Sequence, residues 1–179
     1  MYDAHHFRDF CYILYKYLNL YMPKYNDELV LICIGTDRAT GDSLGPLIGY
    51  KLKDFNHSNI HIFGTLDKPV HAKNLIDTLA FIKLSYPNAL TICIDACLGS
   101  AEHVGCISIG EGSIRPGAGV KKDLPAVGNL HIIGIVNISS QINMTVLQNT
   151  RLSLVMQMAD LISSGIRHCA NLYSYKKNL

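Results

Sequence analysis

The sequence predicts a three-layer α/β/α fold, with a mainly parallel sheet of about five strands, in a single domain over residues 1–179. Apolar, β-rich runs alternate along the chain with stretches of helical periodicity, an order typical of parallel strands covered by helices on both faces. The chain has 179 residues, of which 49% are hydrophobic and 17% charged. That length and composition suit one compact core and exclude a disordered chain.

The first elements are a helix, a strand and a second helix. Apolar residues three and four apart over residues 7–21 predict a short N-terminal packing helix that ends near Pro23. Residues 29–34 are continuously apolar, which predicts a central strand buried on both faces. After a polar loop, periodic apolar residues up to position 55 predict a helix that begins at about Asp42 or Ser43.

The middle of the chain repeats this order. Residues 60–66 predict a second strand, and residues 72–86 predict an amphipathic helix that stops before Pro87. A further apolar run at 90–94 predicts a buried strand that ends in a loop over residues 95–99.

Two more strands and a helical region complete the prediction. Residues 104–109 and 130–136 are strand-like and are separated by the Gly/Pro-rich loop 112–119. Residues 144–169 predict a final helical region.

Charge and hydropathy exclude several classes of partner. The net charge of +2, from 16 basic and 14 acidic residues, gives no field able to hold nucleic acid, and Lys121-Lys122 is read as solvated surface. No apolar run reaches the roughly 18–20 residues of a membrane span. The six cysteines form no CxxC pair, and no secretory leader is evident. We therefore expect a soluble, cytoplasmic protein with reduced cysteines and no membrane partner.

Two aspartates are the candidate catalytic residues. In parallel α/β sheets the site lies beyond the carboxyl ends of the strands, where the loops 35–42, 65–71 and 95–99 should converge. Asp42 is expected at a helix N-terminus, where amides and the macrodipole stabilise its ionised form. Asp95 follows an apolar strand, where desolvation disfavours charge.

Each aspartate taken alone is more simply a cap or turn residue, but the pair makes a sharper hypothesis. Two carboxylates in unlike environments titrate apart, so one can act as a base while the other holds a proton. Such a pair can activate water and protonate the leaving amine of a peptide. We expect Asp42 to be the more ionised member.

Four further residues are candidates for supporting roles. Asp37 and Asp67 are acids on the same expected rim, and His71 can donate a hydrogen bond to the site or bind a metal. Arg115 can orient a carboxylate or a substrate carbonyl. Turn, cap and surface roles are the commoner alternatives for all four.

Other catalytic motifs are absent from the sequence. The loop after the first strand lacks the G-x-G-x-x-G of dinucleotide sites and the Lys-Ser/Thr ending of a P-loop. No G-x-S-x-G elbow occurs. Cys97 lies near Asp95, but no activating histidine is evident beside it.

Four separated motifs resemble the YyaC sporulation proteins in order and spacing, over about residues 29–137. The motifs are Gly35-Thr36 with Gly41-Asp42-Ser43-Leu44-Gly45-Pro46, Ile94-Asp95-Ala96, Gly112-Ser113-Ile114-Arg115-Pro116-Gly117-Ala118-Gly119-Val120, and Ile133-Gly134-Ile135-Val136.

The same motifs are similar, more distantly, to the germination protease of bacterial spores and to hydrogenase maturation endopeptidases. This resemblance implies a phosphorylase/hydrolase-like α/β/α fold with two essential aspartates, matched here by Asp42 and Asp95. In the maturation endopeptidases the two acidic positions bind nickel together with a histidine, which has no clear match here. Unlike the germination protease, the chain has no obvious propeptide, and Thr36-Asp37 replaces a Gly-Asn pair.

Two functions of different classes are therefore expected. The first is a sporulation-associated, aspartate-dependent peptidase-like hydrolase that acts on a peptide or protein such as a spore protein and requires no cofactor. The second is a non-catalytic sporulation protein that binds a partner or a divalent metal through Asp42 and Asp95. A homo-oligomer is compatible with both.

Overall fold

The computed structural model describes residues 3–116 and 124–177, and over these ranges it contains five strands and five α-helices. The strands are β1 (Leu29–Cys33), β2 (Ile60–Phe63), β3 (Leu90–Gly99), β4 (Ile107–Glu111) and β5 (Leu130–Ile138). The helices are α1 (Ala4–Tyr21), α2 (Leu44–Leu52), α3 (Leu75–Ser85), α4 (Asn143–Gln148) and α5 (Leu152–Lys177).

The strands form one sheet in the order β2-β1-β3-β5-β4. The pairs β1–β2, β1–β3 and β3–β5 are parallel, while β4 is antiparallel to β5 at one edge. Parallel neighbours require crossover connections. Helix α2 connects β1 to β2, and α2 and α3 lie between β1 and β3, whereas the segment between β3 and β5 contains the antiparallel strand β4. The prediction of a mainly parallel sheet of about five strands is confirmed.

Helices cover both faces of the sheet. Leu29 and Leu31 of β1 point to one side and pack in a core with α1, α2 and α5. Val30 and Ile32 point to the other side and pack in a second core with α3. Because successive side chains of a strand alternate between faces, burial on both faces explains why β1 is continuously apolar. The three-layer arrangement is confirmed.

Helix α1 occupies the position predicted for a packing helix. Its N-terminus is capped by Asp3, whose Oδ1 accepts the backbone N–H groups of His5 at 2.9 Å and of His6 at 3.1 Å. A capping carboxylate satisfies amides that have no acceptor within the helix. The buried side chains of Leu14 and Leu18 lie in the same core as α5, and a 3₁₀ turn containing Pro23 follows the helix.

Strand β3 is longer than predicted, because the expected loop at 95–99 is part of the strand. On one side β1 stops at Cys33, opposite Ile94. On the other side β5 continues to pair with β3 as far as Gly99. Asp95 is therefore not at the end of its own strand, but it is the first residue of β3 beyond the end of β1.

Two other predicted regions differ from the structure. The helical region 144–169 is divided into the short helix α4 and the long helix α5, which has 26 residues. Residues 117–120 of the Gly/Pro-rich motif and Lys121-Lys122 lie outside the described residues. Within the described ranges, no helix combines the length and the hydropathy that crossing a bilayer requires.

Candidate functional site

A close approach of two backbone segments fixes the position of Asp42. Gly35, with φ +137°, follows β1, and a Cβ built there would lie 2.0 Å from the carbonyl oxygen of Asp42. A Cβ on Gly45 would lie 2.1 Å from the carbonyl oxygen of Ile34. Thr36 donates its backbone N–H to the Asp42 carbonyl oxygen at 3.1 Å. The two glycines thus let the 3₁₀ turn that carries Asp42 lie directly against the end of β1.

Asp42 and Asp95 line the same cavity, which has a volume of about 410 Å³. Asp42 is half-buried, whereas Asp95 is only 7% exposed. The Oδ1 atom of Asp95 accepts the backbone N–H of Ala96 at 2.8 Å. The cavity is lined by Thr36, Arg38, Ala39, Asp42, Asp95, Ala96, Cys97, Leu98, Ser139, Asn143, Met144, Leu147 and Gln148.

Burial raises the pKa of Asp42 to about 6, although a backbone hydrogen bond from Thr36 and the charge of His71 act to lower it. Ser43, not Asp42, is the residue that precedes α2, and no side chain caps the helix. The stabilisation of ionised Asp42 that we expected from the helix N-terminus is therefore outweighed by desolvation. A carboxyl group with a pKa near 6 can exchange protons near neutral pH.

His71 is the predicted supporting residue that acts on Asp42. It follows Val70, which forms a β-bridge with Ile34 at the end of β1. Its backbone N–H donates to Oδ1 of Asn74 at 2.8 Å. Its Nδ1 atom is buried and has no hydrogen-bond partner within the described part of the chain.

None of the four predicted supporting residues, His71 included, lines the cavity. Asp37 and Asp67 are exposed, in the loop after β1 and in the turn before α3. Arg115 is also exposed and follows β4, whose last residue Glu111 pairs with Leu130 at the start of β5. Their supporting roles remain predictions.

Sequence reasoning missed Arg38 and the residues that follow β5. Arg38 belongs to the loop 35–42, which was predicted to reach the site, so the loop prediction was the signal that could have identified it. Nothing in the sequence pointed to Met144 and Leu147 of α4 as cavity residues, because the pattern over residues 144–169 predicts a single helical region.

The chemistry of Cys97 does not favour a thiolate nucleophile. Burial, and then the negative charge of Asp95, raise the pKa of its thiol. A thiolate nucleophile requires the opposite, an electropositive environment that lowers the pKa.

The residues that the structure describes do not form a nickel site of the kind that the resemblance implies. Among residues 3–116 and 124–177, no group of three or more His, Cys, Asp and Glu side chains is placed to hold a metal ion. The resemblance implies a nickel site of two acids and a histidine, so two carboxylates alone leave that donor set incomplete.

A family model described as "Protein of unknown function (DUF1256)" matches residues 2–165. The chain belongs to this family. YyaC, an uncharacterized protein of Bacillus subtilis (strain 168), is 54% identical to it over 138 residues, which are 77% of this chain and 67% of YyaC. The predicted resemblance to YyaC is confirmed.

The fold is also similar to that of a solved protease. The crystal structure of the NiFe hydrogenase maturation protease HycI from Thermococcus kodakarensis KOD1 matches with a TM-score of 0.55 and 14% sequence identity. The match covers 80% of this chain and 92% of HycI. The chain therefore has a peptidase-like fold, and the predicted fold class is confirmed.

Proposed function

We propose that this member of the DUF1256 family is a sporulation-associated, aspartate-dependent peptidase-like hydrolase, similar to the spore germination protease. Its aspartate dyad, Asp42 and Asp95, acts on a peptide or protein in the cytoplasm of a spore-forming cell or forespore. The observation that carries the proposal is that both carboxyl groups line one cavity, where burial raises the pKa of Asp42 to about 6.

The two carboxyl groups take opposite roles in the proposed reaction. Asp95, as the carboxylate, removes a proton from a water molecule, and the resulting hydroxide adds to the carbonyl carbon of the substrate. Asp42, in its protonated form, gives its proton to the amide nitrogen as the C–N bond breaks. Asp42 takes the role of the acid in this proposal because the pKa of its carboxyl group is raised to about 6, so that it can hold a proton near neutral pH.

The fold likeness to HycI supports a peptidase rather than another hydrolase, since that protein is a maturation protease. The reaction above uses only the chain's own carboxyl groups and a water molecule, and it requires no cofactor. A divalent metal would need ligands beyond the two aspartates.

Hydrolysis assays with the two dyad variants test the proposal. Acid-soluble spore proteins and unstructured peptides are incubated with the wild type, Asp42→Asn and Asp95→Asn, and the products are followed by mass spectrometry. Removing either group should lower the rate by about 10²–10⁴-fold, the usual contribution of a general acid or base. The control is Asp54→Asn, an exposed aspartate after α2 that does not line the cavity, which should retain the wild-type rate. Equal cleavage by all four proteins would remove the dyad from the mechanism.

The apolar part of the cavity favours a second candidate, a non-catalytic protein that binds a partner segment there. Ala39, Leu98, Met144 and Leu147 line it. A pull-down in which one partner is retained by both dyad variants, with no hydrolysis by the wild type, would favour this function. Tight binding of Ni²⁺ or Zn²⁺ in calorimetry, lost in both variants, would instead favour metal-dependent recognition.

A further inference from the structure

We infer that the cavity binds an extended peptide in which an apolar residue is close to a carboxylate, with Arg38 binding the carboxylate and α4 forming the apolar subsite. The inference rests on the proposed function, because it names the substrate class of the same site. It assigns a specificity role to Arg38, Met144 and Leu147, which line the same cavity as the dyad.

The apolar wall lies directly beside the turn that carries Asp42. A Cβ on Gly41, the neighbour of Asp42, would lie 2.8 Å from Cδ2 of Leu147, so α4 and the 3₁₀ turn are in close contact. Asn137 of β5 holds α4 in place, because its Nδ2 donates to the Val146 carbonyl oxygen at 3.3 Å. An apolar side chain of the substrate that packs on Leu147 therefore lies next to the proposed acid.

Three apolar side chains that belong to the cavity lining or are close to it in sequence are exposed to solvent. Ile138, Ile142 and Met144 are 48%, 67% and 47% exposed, and Met144 also lines the cavity. A small molecule that filled the cavity would leave this surface in water, whereas an extended peptide leaving the cavity would cover it. Exposed apolar side chains that cluster on a surface mark interaction sites.

Arg38 supplies positive charge at the cavity. The backbone N–H of Arg38 donates to Oγ1 of Thr36 at 3.3 Å, which fixes the loop. The side chain is exposed, forms no ion pair with any acid in residues 3–116 and 124–177, and is not among the causes of the Asp42 pKa. Its guanidinium can therefore bind a substrate carboxylate through two parallel hydrogen bonds.

The remaining polar side chains of the cavity are uncharged. Asn143 accepts the Ser140 backbone N–H on its Oδ1 at 3.1 Å, which leaves its amide hydrogens for a peptide carbonyl. Ser139 and Gln148 add a hydroxyl and a second amide. Hydrogen bonds to a peptide backbone from these groups carry no side-chain preference, so Arg38 and the apolar wall determine which sequence binds.

Fluorescence anisotropy with the double variant Asp42→Asn/Asp95→Asn tests the inference without hydrolysis. Three amidated, fluorescently labelled peptides differ at two adjacent positions, Leu-Glu, Leu-Gln and Ser-Glu, and a fourth carries Leu-Gln with a free C-terminus. The Leu-Glu peptide should bind at least 10-fold more tightly than the Leu-Gln and Ser-Glu peptides. Tighter binding of the fourth peptide than of its amidated form would show that a terminal carboxylate is recognised as well.

Substitutions in this background separate the two determinants. Arg38→Glu should abolish the preference for Glu over Gln, and Met144→Ser should reduce the preference for Leu over Ser. The matched control is Arg8→Glu on α1, which does not line the cavity. The inference is overturned if the Glu and Gln peptides bind equally, or if Arg38→Glu has the same effect as Arg8→Glu. Because binding is measured in a variant that cannot hydrolyse, this outcome is independent of whether the wild type cleaves peptides.

Discussion

The burial of Asp42 destabilises the fold at neutral pH. Burial raises its pKa from 3.8 to about 6, so the folded chain holds the proton where the unfolded chain has released it. Burial therefore favours the neutral form of Asp42 over its ionised form. A group that destabilises its fold in this way is typical of functional sites.

We predict that Asp42→Asn unfolds at higher denaturant concentration than the wild type at pH 7. The raised pKa means that the wild type loses stability as the pH rises from about 3.8 to about 6, and asparagine removes this loss. The gain should be about 1–3 kcal/mol at pH 7 and should vanish near pH 4. Urea titrations at both pH values measure it.

The control for this experiment is Asp37→Asn, because Asp37 is exposed in the same loop. It should change stability by less than about 0.5 kcal/mol at either pH. Equal stability of Asp42→Asn and the wild type at pH 7, or a gain that is larger at pH 4, would contradict the desolvation of Asp42.

Cys97 gives a second prediction at this scale. Because burial and the charge of Asp95 keep its thiol protonated, Cys97→Ala should retain peptide hydrolysis within about three-fold of the wild type. Iodoacetamide at pH 7 should likewise leave activity intact. Inactivation that follows alkylation of Cys97, and is absent in Cys97→Ala, would identify a thiol mechanism instead.

Residue types and their motifs were enough to predict the two aspartates but not all of their neighbours. Asp42 and Asp95 each come after an apolar run, a pattern that is visible in the sequence. Arg115 was a candidate because it lies in a Gly/Pro-rich loop, whereas nothing singled out Arg38 within the polar loop 35–42. The position of Arg115 depends on the direction of β4, and an antiparallel edge strand cannot be distinguished from a parallel one by composition.

The elements were predicted better than their ends. β3 was expected to stop before Asp95, where polar and small residues begin, yet it continues for five residues because β5 pairs with it to Gly99. Pairing with a neighbour decides where a strand ends, and that neighbour is more than 30 residues away in the chain. The division of α4 from α5 was missed for a similar reason, since Asn137 of β5 holds α4 in place.

The contact between α2 and β1 gives a prediction at the scale of elements. Gly45→Ala should destabilise the fold by about 2–4 kcal/mol, because the new Cβ would lie 2.1 Å from the Ile34 carbonyl oxygen and would push the helix from the strand. The turn that carries Asp42 would move as well, so activity should fall even where the variant is folded. Chemical denaturation and hydrolysis assays measure the two effects.

Gly112→Ala separates this clash from backbone strain. Gly112 has φ +92°, but a Cβ there meets no atom within 4 Å. Its substitution should cost about 1 kcal/mol from the backbone alone and leave activity unchanged. If Gly45→Ala lowers the free energy of unfolding no more than Gly112→Ala does, α2 and β1 can move apart without destabilising the fold.

On the scale of the whole molecule, the long helix α5 joins the C-terminal part of the chain to the start of the sheet. α5 packs in one core with α1 and α2. Near its end, Tyr173 donates its hydroxyl to Oδ1 of Asp27, and Nζ of Lys177 lies 2.5 Å from Oδ2 of Asp27. Asp27 directly precedes the segment that enters β1, so these contacts connect residues nearly 150 positions apart.

Asp27 should therefore show the opposite pH dependence to Asp42. Hydrogen bonds from Lys177 and then from Tyr173 lower the pKa of Asp27. A lowered pKa stabilises the fold above the unfolded value of 3.8, and that stability is lost as the pH falls through the folded value. We predict that Asp27→Asn destabilises the chain by about 1–2 kcal/mol at pH 7 and that the difference narrows below pH 3.8.

The backbone conformation of Asp27 makes the comparison of Asp27→Asn with the wild type specific to the lost charge. Its φ is +57°, a left-handed conformation that asparagine adopts readily, so the substitution adds no backbone strain.

Lys177 is 57% exposed, so its ion pair is screened by solvent, and Lys177→Gln should cost less than about 0.5 kcal/mol. Tyr173→Phe removes the buried hydroxyl and should cost more than Lys177→Gln. If Lys177→Gln is the more destabilising of the two, the exposed ion pair rather than the buried hydrogen bond joins α5 to the sheet.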